Sequence, residues 1–255
     1  MIIKKKNKKV LGLIPTRLNS TRLPQKALLE IDKFPLVIHT YKRALRSKLL
    51  DEVYICCDDK KIFQVAKKFG ANVIMTSKHH QNGTERIYEG YKILKKNYDL
   101  IIDIQGDEPL ISPYHIDQVI SFHKKNLNAD IILPTLQVNS KNNTNIIKVV
   151  KNINGHVMYL SRGNIPFEYK KNLSKIDKHL SIISFLPSAL ENFVKHQKTP
   201  LEIIEDIELL RALEIGLSIK SIVLKGDSFS VDVMKDFERA SKKMFSDKYF
   251  KLYKS

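Results

Sequence analysis

The chain has 255 residues, 43% hydrophobic and 28% charged, which is enough apolar content to bury one substantial α/β core and too much for a disordered chain. Its 44 lysines and arginines against 27 acidic residues leave a formal charge of +17, which suits an anionic ligand without choosing among nucleic acid, a membrane surface and a small molecule. The two cysteines, adjacent at 56 and 57, exclude an ordinary disulfide framework and read as reduced and buried.

The basic start is followed by an apolar run of only residues 10–14 before Pro15, too short for a signal-peptide core or a membrane span, so a cytoplasmic protein is expected. That run reads as a first, buried strand. It delivers the loop Ile14-Pro-Thr-Arg17-Leu-Asn-Ser20-Thr21-Arg22-Leu-Pro-Gln-Lys26, which carries three cationic side chains and the Ser20-Thr21 pair on a backbone restrained by Pro15 and Pro24. Cations on a restrained loop at a strand end are aimed at a polyanion; a solvated basic turn is the plainer alternative.

Further apolar runs at residues 53–57, 72–75, 100–104 and 131–134 alternate with amphipathic stretches predicted as helices at 35–47, 59–69, 84–95 and 113–126. Pro35 and Pro113 suit first helical turns, and Gly70 suits a position just past a helix end. The alternation predicts an α/β fold with a doubly wound, mostly parallel sheet, its ligand beyond the carboxyl ends of the strands. From about residue 130 the pattern loosens into mixed strands at 147–153, 180–185 and 219–224 with short helices, and no linker or repeat interrupts it.

The nine glycines never fall two apart and none precedes a Lys-Ser or Lys-Thr pair, which excludes the dinucleotide and Walker A phosphate loops. His79 and His80 with Cys56 and Cys57 lack zinc-ligand spacing. Asp107 follows the strand at 100–104 in a tight Gln-Gly turn, which places a hard oxygen ligand at the sheet edge; a simple turn residue is the alternative. Glu108 beside it either joins it or only shapes the loop. Asp58 and Asp59 follow the second strand, and Asp59 equally suits a helix N-cap.

The first loop resembles that of the sugar-activating cytidylyltransferases, in particular the 3-deoxy-manno-octulosonate (KDO) cytidylyltransferase family, which reads Ile-Pro-Ala-Arg, a short spacer, Ser-Thr-Arg-Leu-Pro, one residue, Lys. Asn82-Gly83-Thr84-Glu85-Arg86, Gln105-Gly106-Asp107-Glu108-Pro109, Ile147-Lys-Val-Val150, and Tyr159-Leu-Ser161-Arg162 through Ile165-Pro166-Phe167 recur in the family's order. The resemblance implies a nucleotide-diphospho-sugar transferase-like fold in a single domain. Its nucleotide-binding portion would run from about 8 to 130, an acceptor-binding and dimerisation portion from 131 to 225, and a metal-ligand segment and helix from 226 to 255.

It further implies Mg²⁺-dependent transfer of the cytidylyl group of CTP to an anionic acceptor, with pyrophosphate released, for lipopolysaccharide or capsule, by a homodimer that binds neither nucleic acid nor membrane. The implied CTP contacts are Thr16, Arg17, Ser20, Thr21, Arg22, Lys26, Asp58, Asn82, Gly83, Arg86 and Gln105, with Arg17, Arg22, Lys26 and Asp107 catalytic. The implied metal ligands are Asp107 and Asp232, the latter in an incomplete match, Ser230-Val231-Asp232-Val233, to a late Gly-Val-Asp-Thr motif. Asp232 equally suits a cap for a helix beginning near Met234, and Arg86 a surface ion pair.

The acceptor side maps to Gln105, Arg162, His179, Ile183, Glu208 and Leu209, and here the chain departs from the pattern. Where the family reads His-x-Gly-Ile-Tyr, this chain reads His179-Leu-Ser181-Ile182-Ile183, and Leu-Glu-Gln-Leu-Arg has become Ile207-Glu208-Leu209-Leu210-Arg211. A tyrosine and a glutamine are thereby lost, each hydrogen bond worth about 0.5–1.5 kcal/mol. The acceptor is expected to be KDO, a related acid with fewer hydroxyls at those points, or a phosphorylated molecule such as glutamine phosphate. An RNA-binding protein is the remote alternative, and the chain lacks the aromatic-basic interleaving that it would need.

Overall fold

Strand β1 (Val10–Thr16) is buried along its whole length, as a parallel strand covered on both faces must be. In the computed structural model, which describes residues 8–20, 22–139 and 142–254, it pairs in parallel with β4 (Glu52–Cys57) on one side and β6 (Leu100–Ile104) on the other. β5 (Val73–Met75) continues the parallel sheet beyond β4, and a small hairpin of β2 (Glu30–Ile31) and β3 (Phe34–Pro35) precedes the first helix. Thr21 and the basic start up to residue 7 lie outside the described residues.

The helices of this half begin and end where local chemistry dictates. They are α1 (Leu36–Ala44), α2 (Lys60–Lys68), α3 (Gly83–Leu94) and α4 (Pro113–Lys125). Asp59 accepts the Lys61 amide at 2.8 Å and so caps α2, Asn82 accepts the Glu85 amide at 2.8 Å and caps α3, and Pro113 opens α4. Gly70 follows α2 with φ +70, a left-handed conformation that costs glycine nothing. α1 starts one residue later than predicted, because Pro35 is paired in β3.

The second half adds β7 (Ile131–Val138), β8 (Lys148–Lys151), β9 (Val157–Ser161), β10 (Ile176–His179), β11 (Ile182–Phe185), α5 (Pro187–Lys195), α6 (Pro200–Glu205), α7 (Glu208–Glu214), β12 (Ile219–Leu224) and α8 (Met234–Ser246). The sheet runs β5-β4-β1-β6-β11-β7-β10-β8-β9, with β12 parallel to β7. β11 is antiparallel to both β6 and β7 and joins the parallel half to the mixed half. β9 and β10 go beyond the predicted strands. β10 reads Ile-Asp-Lys-His, and its polar run gives no apolar signal although its backbone pairs with β7.

Alternation along β1 sends Val10 and Ile14 into one apolar cluster and Leu11 and Leu13 into another, so the sheet has a core on each face. A third cluster, which includes Leu23, Leu36, Val231, Met244, Phe250 and Tyr253, ties the first loop to the last helix. Cys56 and Cys57 are free and buried, each in a different main cluster. No helix among the described residues is long and apolar enough to cross a membrane.

Candidate active site

Three loops meet at the carboxyl ends of the parallel strands because glycines let them. A Cβ on Gly106 would lie 2.9 Å from the Pro15 carbonyl oxygen, so only glycine lets the turn after β6 rest on the end of β1. A Cβ on Gly83 would lie 3.2 Å from Gln105 Nε2 and 3.3 Å from Pro15 Cγ, which brings the start of α3 to the same place.

Onto this junction the sequence delivers charge from both ends of the chain. Lys26 opens a short helical turn behind Gln25, whose φ is 51, and its Nζ donates to Asp107 Oδ2 at 2.6 Å and to Asp232 Oδ1 at 3.3 Å. Arg22 donates to the same Asp232 oxygen at 2.9 Å. The side chain of Lys26 is 16% exposed and that of Arg22 59%, so Lys26 is the inner cation. The Val231 amide donates to the Asp107 carbonyl at 2.9 Å, and the Ser228 hydroxyl donates to Glu108 Oε2 at 2.6 Å. Glu108 is buried, and its pKa is raised by burial and then by neighbouring Asp107, against the hydrogen bond from Ser228. It stitches the turn to the segment carrying Asp232.

The alternative role for Asp232, a helix cap, falls to Asp236, whose Oδ2 accepts the amides of Asp232 and Val233 at 3.1 and 3.2 Å. The Asp232 carboxylate is left for the cluster. Two carboxylates converging on one ammonium form a donor set that suits a hard divalent cation completed by phosphate oxygens and water, the usual arrangement for Mg²⁺. Among the described residues no group of three His, Cys, Asp or Glu stands ready to hold a metal.

On the nucleotide side, Arg17 is exposed and has no partner among the described residues, and Ser20 is half-buried beside it, equally unpartnered. Thr16 is 8% exposed at the end of β1. Arg86 is 3% exposed, donating to Thr76 Oγ1 at 2.8 Å and the Ser77 carbonyl at 3.1 Å and pairing with Asp58 Oδ2 at 3.4 Å. The other oxygen of Asp58 accepts the Leu18 amide at 3.0 Å. Arg86 and Asp58 therefore fix the first loop from behind, and Asn82 acts through its cap on α3.

On the acceptor side, Gln105 Nε2 donates to both oxygens of Asp103, at 3.1 and 2.9 Å. Glu208, in the first turn of α7, accepts the Thr84 hydroxyl at 2.6 Å; burial raises its pKa against the hydrogen bonds from Thr84 and Gly83. Ile183 and Leu209 are 6% and 3% exposed and share one core cluster, so they form an apolar backing. His179 is half-buried with no ring partner among the described residues, and burial, then the Lys178 charge, push its pKa down to about 4, which keeps it neutral.

Arg162 also departs from expectation. Its Nε donates to the Glu205 carbonyl at 2.9 Å, NH2 to the Asp206 carbonyl at 3.0 Å and NH1 to the Thr144 carbonyl at 3.3 Å. Its guanidinium closes the end of α6, whose carbonyls lack helical partners, in place of the free fork expected for a carboxylate. Asp103 and Ser228 stand outside every motif read from the sequence, and Thr84 enters there only as part of Asn82–Arg86, without a role of its own; a charged residue inside the apolar run 100–104 is the available signal for Asp103.

A parallel α/β sheet with a cationic loop after its first strand, faced by carboxylates across the carboxyl edge, defines a nucleotidyltransferase. Residues 11–222 match the family model described as cytidylyltransferase. The 3-deoxy-manno-octulosonate cytidylyltransferase of Thermodesulfovibrio yellowstonii is 40% identical over 90% of this chain and 96% of its own length. The 8-amino-3,8-dideoxy-manno-octulosonate cytidylyltransferase of Shewanella pealeana is 36% identical over 88% and 94% respectively. Among solved structures, a CMP:2-keto-3-deoxy-manno-octonic acid synthetase complexed with CTP superposes with a TM-score of 0.88 at 29% identity, covering 93% of this chain and 99% of that one. The chain belongs to the KDO cytidylyltransferase family.

Proposed function

We propose that this enzyme transfers the cytidylyl group of CTP to KDO and releases pyrophosphate, in the cytoplasm and for lipopolysaccharide. The observation that carries the reading is the convergence of Arg22 and Lys26 on Asp107 and Asp232 at the sheet's carboxyl edge. Nucleotidyl transfer asks mainly for alignment of the attacking hydroxyl with the α-phosphorus and for stabilisation of charge on the departing pyrophosphate. Arg17, Arg22 and Lys26 supply cations for the triphosphate, and Gly106 and Gly83 let the turn after β6 and the start of α3 close on Pro15, where the loop that carries those cations begins. Mg²⁺ held by Asp107 and Asp232 would polarise phosphate oxygens and neutralise charge there. Gln105, Glu208 and neutral His179 face the acceptor, with Ile183 and Leu209 as its apolar support.

The test is turnover of CTP with KDO, its 8-amino-3,8-dideoxy analogue and glutamine phosphate, read by pyrophosphate release and product mass. Fastest turnover with KDO supports the reading; fastest turnover with its amino analogue, or turnover with glutamine phosphate alone, overturns it. A homodimer draws support from the apolar side chains that the acceptor portion exposes, Ile153, Phe167, Tyr169 and Ile204 among them, and sedimentation equilibrium decides it.

A further inference from the structure

Asp103 lies inside β6 between Ile102 and Ile104, 1% exposed. A carboxyl buried there needs a counter-charge or donors, and among the described residues it forms no ion pair. Burial, and next the nearby Glu208, raise its pKa well above the ordinary carboxyl range, opposed by the hydrogen bond from Gln105. Its hydrogen-bonding partner is Gln105 Nε2, which reaches both carboxyl oxygens. Ile183 stands opposite Asp103 across the β6–β11 pair and offers no donor, so nothing there competes with Gln105.

The same nitrogen is the atom that a Cβ on Gly83 would meet at 3.2 Å, so Nε2 is held between β6 and the start of α3. Oε1 is left without a donor among the described residues. A carboxamide presents either a donor or an acceptor depending on how its neighbours turn it. We propose that Asp103 is a positioning residue that holds Gln105 Nε2 inward, so that Oε1 is offered to the acceptor substrate and selects for a hydrogen-bond donor on it, a hydroxyl or an ammonium. The substrate half of this proposal rests on the cytidylyl-transfer reading; the side-chain half does not.

Asp103→Leu keeps much of the volume and offers no polar atom, which leaves Gln105 Nε2 without its two acceptors and frees the amide to turn. The expected result is an acceptor KM raised about tenfold, the loss of one hydrogen bond, with kcat and the KM for CTP within about twofold. KDO and its 8-amino-3,8-dideoxy analogue serve as separate arms; a rise with either supports the proposal and no rise with both overturns it. In ¹⁵N-labelled protein without substrate, the Gln105 side-chain amide hydrogens should exchange with solvent about tenfold faster in the Asp103→Leu variant than in wild type. Wild-type Gln105 hydrogens that exchange as fast as those of exposed Gln137, or equal rates in both proteins, overturn the positioning role whichever acceptor is used.

Discussion

Lys26 is the residue around which the site is organised, since its ammonium touches both carboxylates of the cluster. A divalent ion arriving at the free protein must displace that ammonium, and the triphosphate is what would draw Lys26 away. Lys26→Met should therefore raise the affinity of the nucleotide-free protein for Mn²⁺ by about tenfold, read by electron paramagnetic resonance; unchanged affinity would show that the two carboxylates bind no metal together. Asp107→Asn and Asp232→Asn keep volume and lose charge, so each should lower kcat by about a hundredfold or more while thermal unfolding stays near that of the wild type. Near-normal turnover in either variant removes that residue from the reaction.

At the scale of elements, the position of α3 sets both halves of the site, since it carries Gly83 and Thr84 toward the acceptor side and Arg86 toward Asp58. It lies close on β4 because Gly90 leaves room: a Cβ there would meet Cys56 Sγ at 2.5 Å. Gly90→Ala should destabilise the fold by about 1–3 kcal/mol through overpacking. Removing the obstructing sulfur in the double variant with Cys56→Ala should recover much of that loss, and a thermal-melt double-mutant cycle measures the coupling. Additive losses would place the strain elsewhere.

The same scale shows what the sequence could disclose. The loop bearing Arg17, Arg22 and Lys26 and the turn bearing Asp107 are each written in a few consecutive residues, so their chemistry was readable before their geometry. Arg162 was not, because its partners Thr144 and Glu205 are brought to it by the turn before β8 and by the end of α6, from 18 and 43 residues away. The burial of Arg86 was equally illegible, because a buried arginine and an exposed one read alike in sequence; its partners Asp58 and Thr76 show where it lies. β10 was hidden because three of its four residues are polar, which erases the alternation that marks a strand.

Across the whole molecule, stability has a pH dependence that can be assigned to a buried histidine. His39 sits in the third cluster with its Nε2 against the Ile31 carbonyl at 2.9 Å and its Nδ1 against the Tyr253 hydroxyl at 2.8 Å. Burial lowers its pKa from 6.5 to about 4, with the Arg43 charge adding to the effect against the hydrogen bond to Ile31. A base whose folded pKa is depressed takes its proton first in the unfolded chain, so stability is present above pH 6.5 and is lost as pH falls toward 4. His39→Gln removes this linkage. The stability advantage of wild type over the variant should therefore shrink by a few kcal/mol between those limits and level off below them, as measured by urea unfolding. A difference independent of pH would mean that His39 does not stay neutral.

The third cluster has one more consequence, in the order in which the chain is made. Leu23 and Val231 belong to that cluster with Phe250 and Tyr253, and Arg22 and Asp232 lie beside the first two in sequence. A ribosome therefore releases the cationic loop long before the carboxylate that answers it. Until the segment before the last helix is synthesised, Arg22 has no carboxylate to answer it and Lys26 has only Asp107. The packing of Leu23 against Val231, Phe250 and Tyr253, and with it the Arg22–Asp232 contact, can form only after the C-terminal segment has been made.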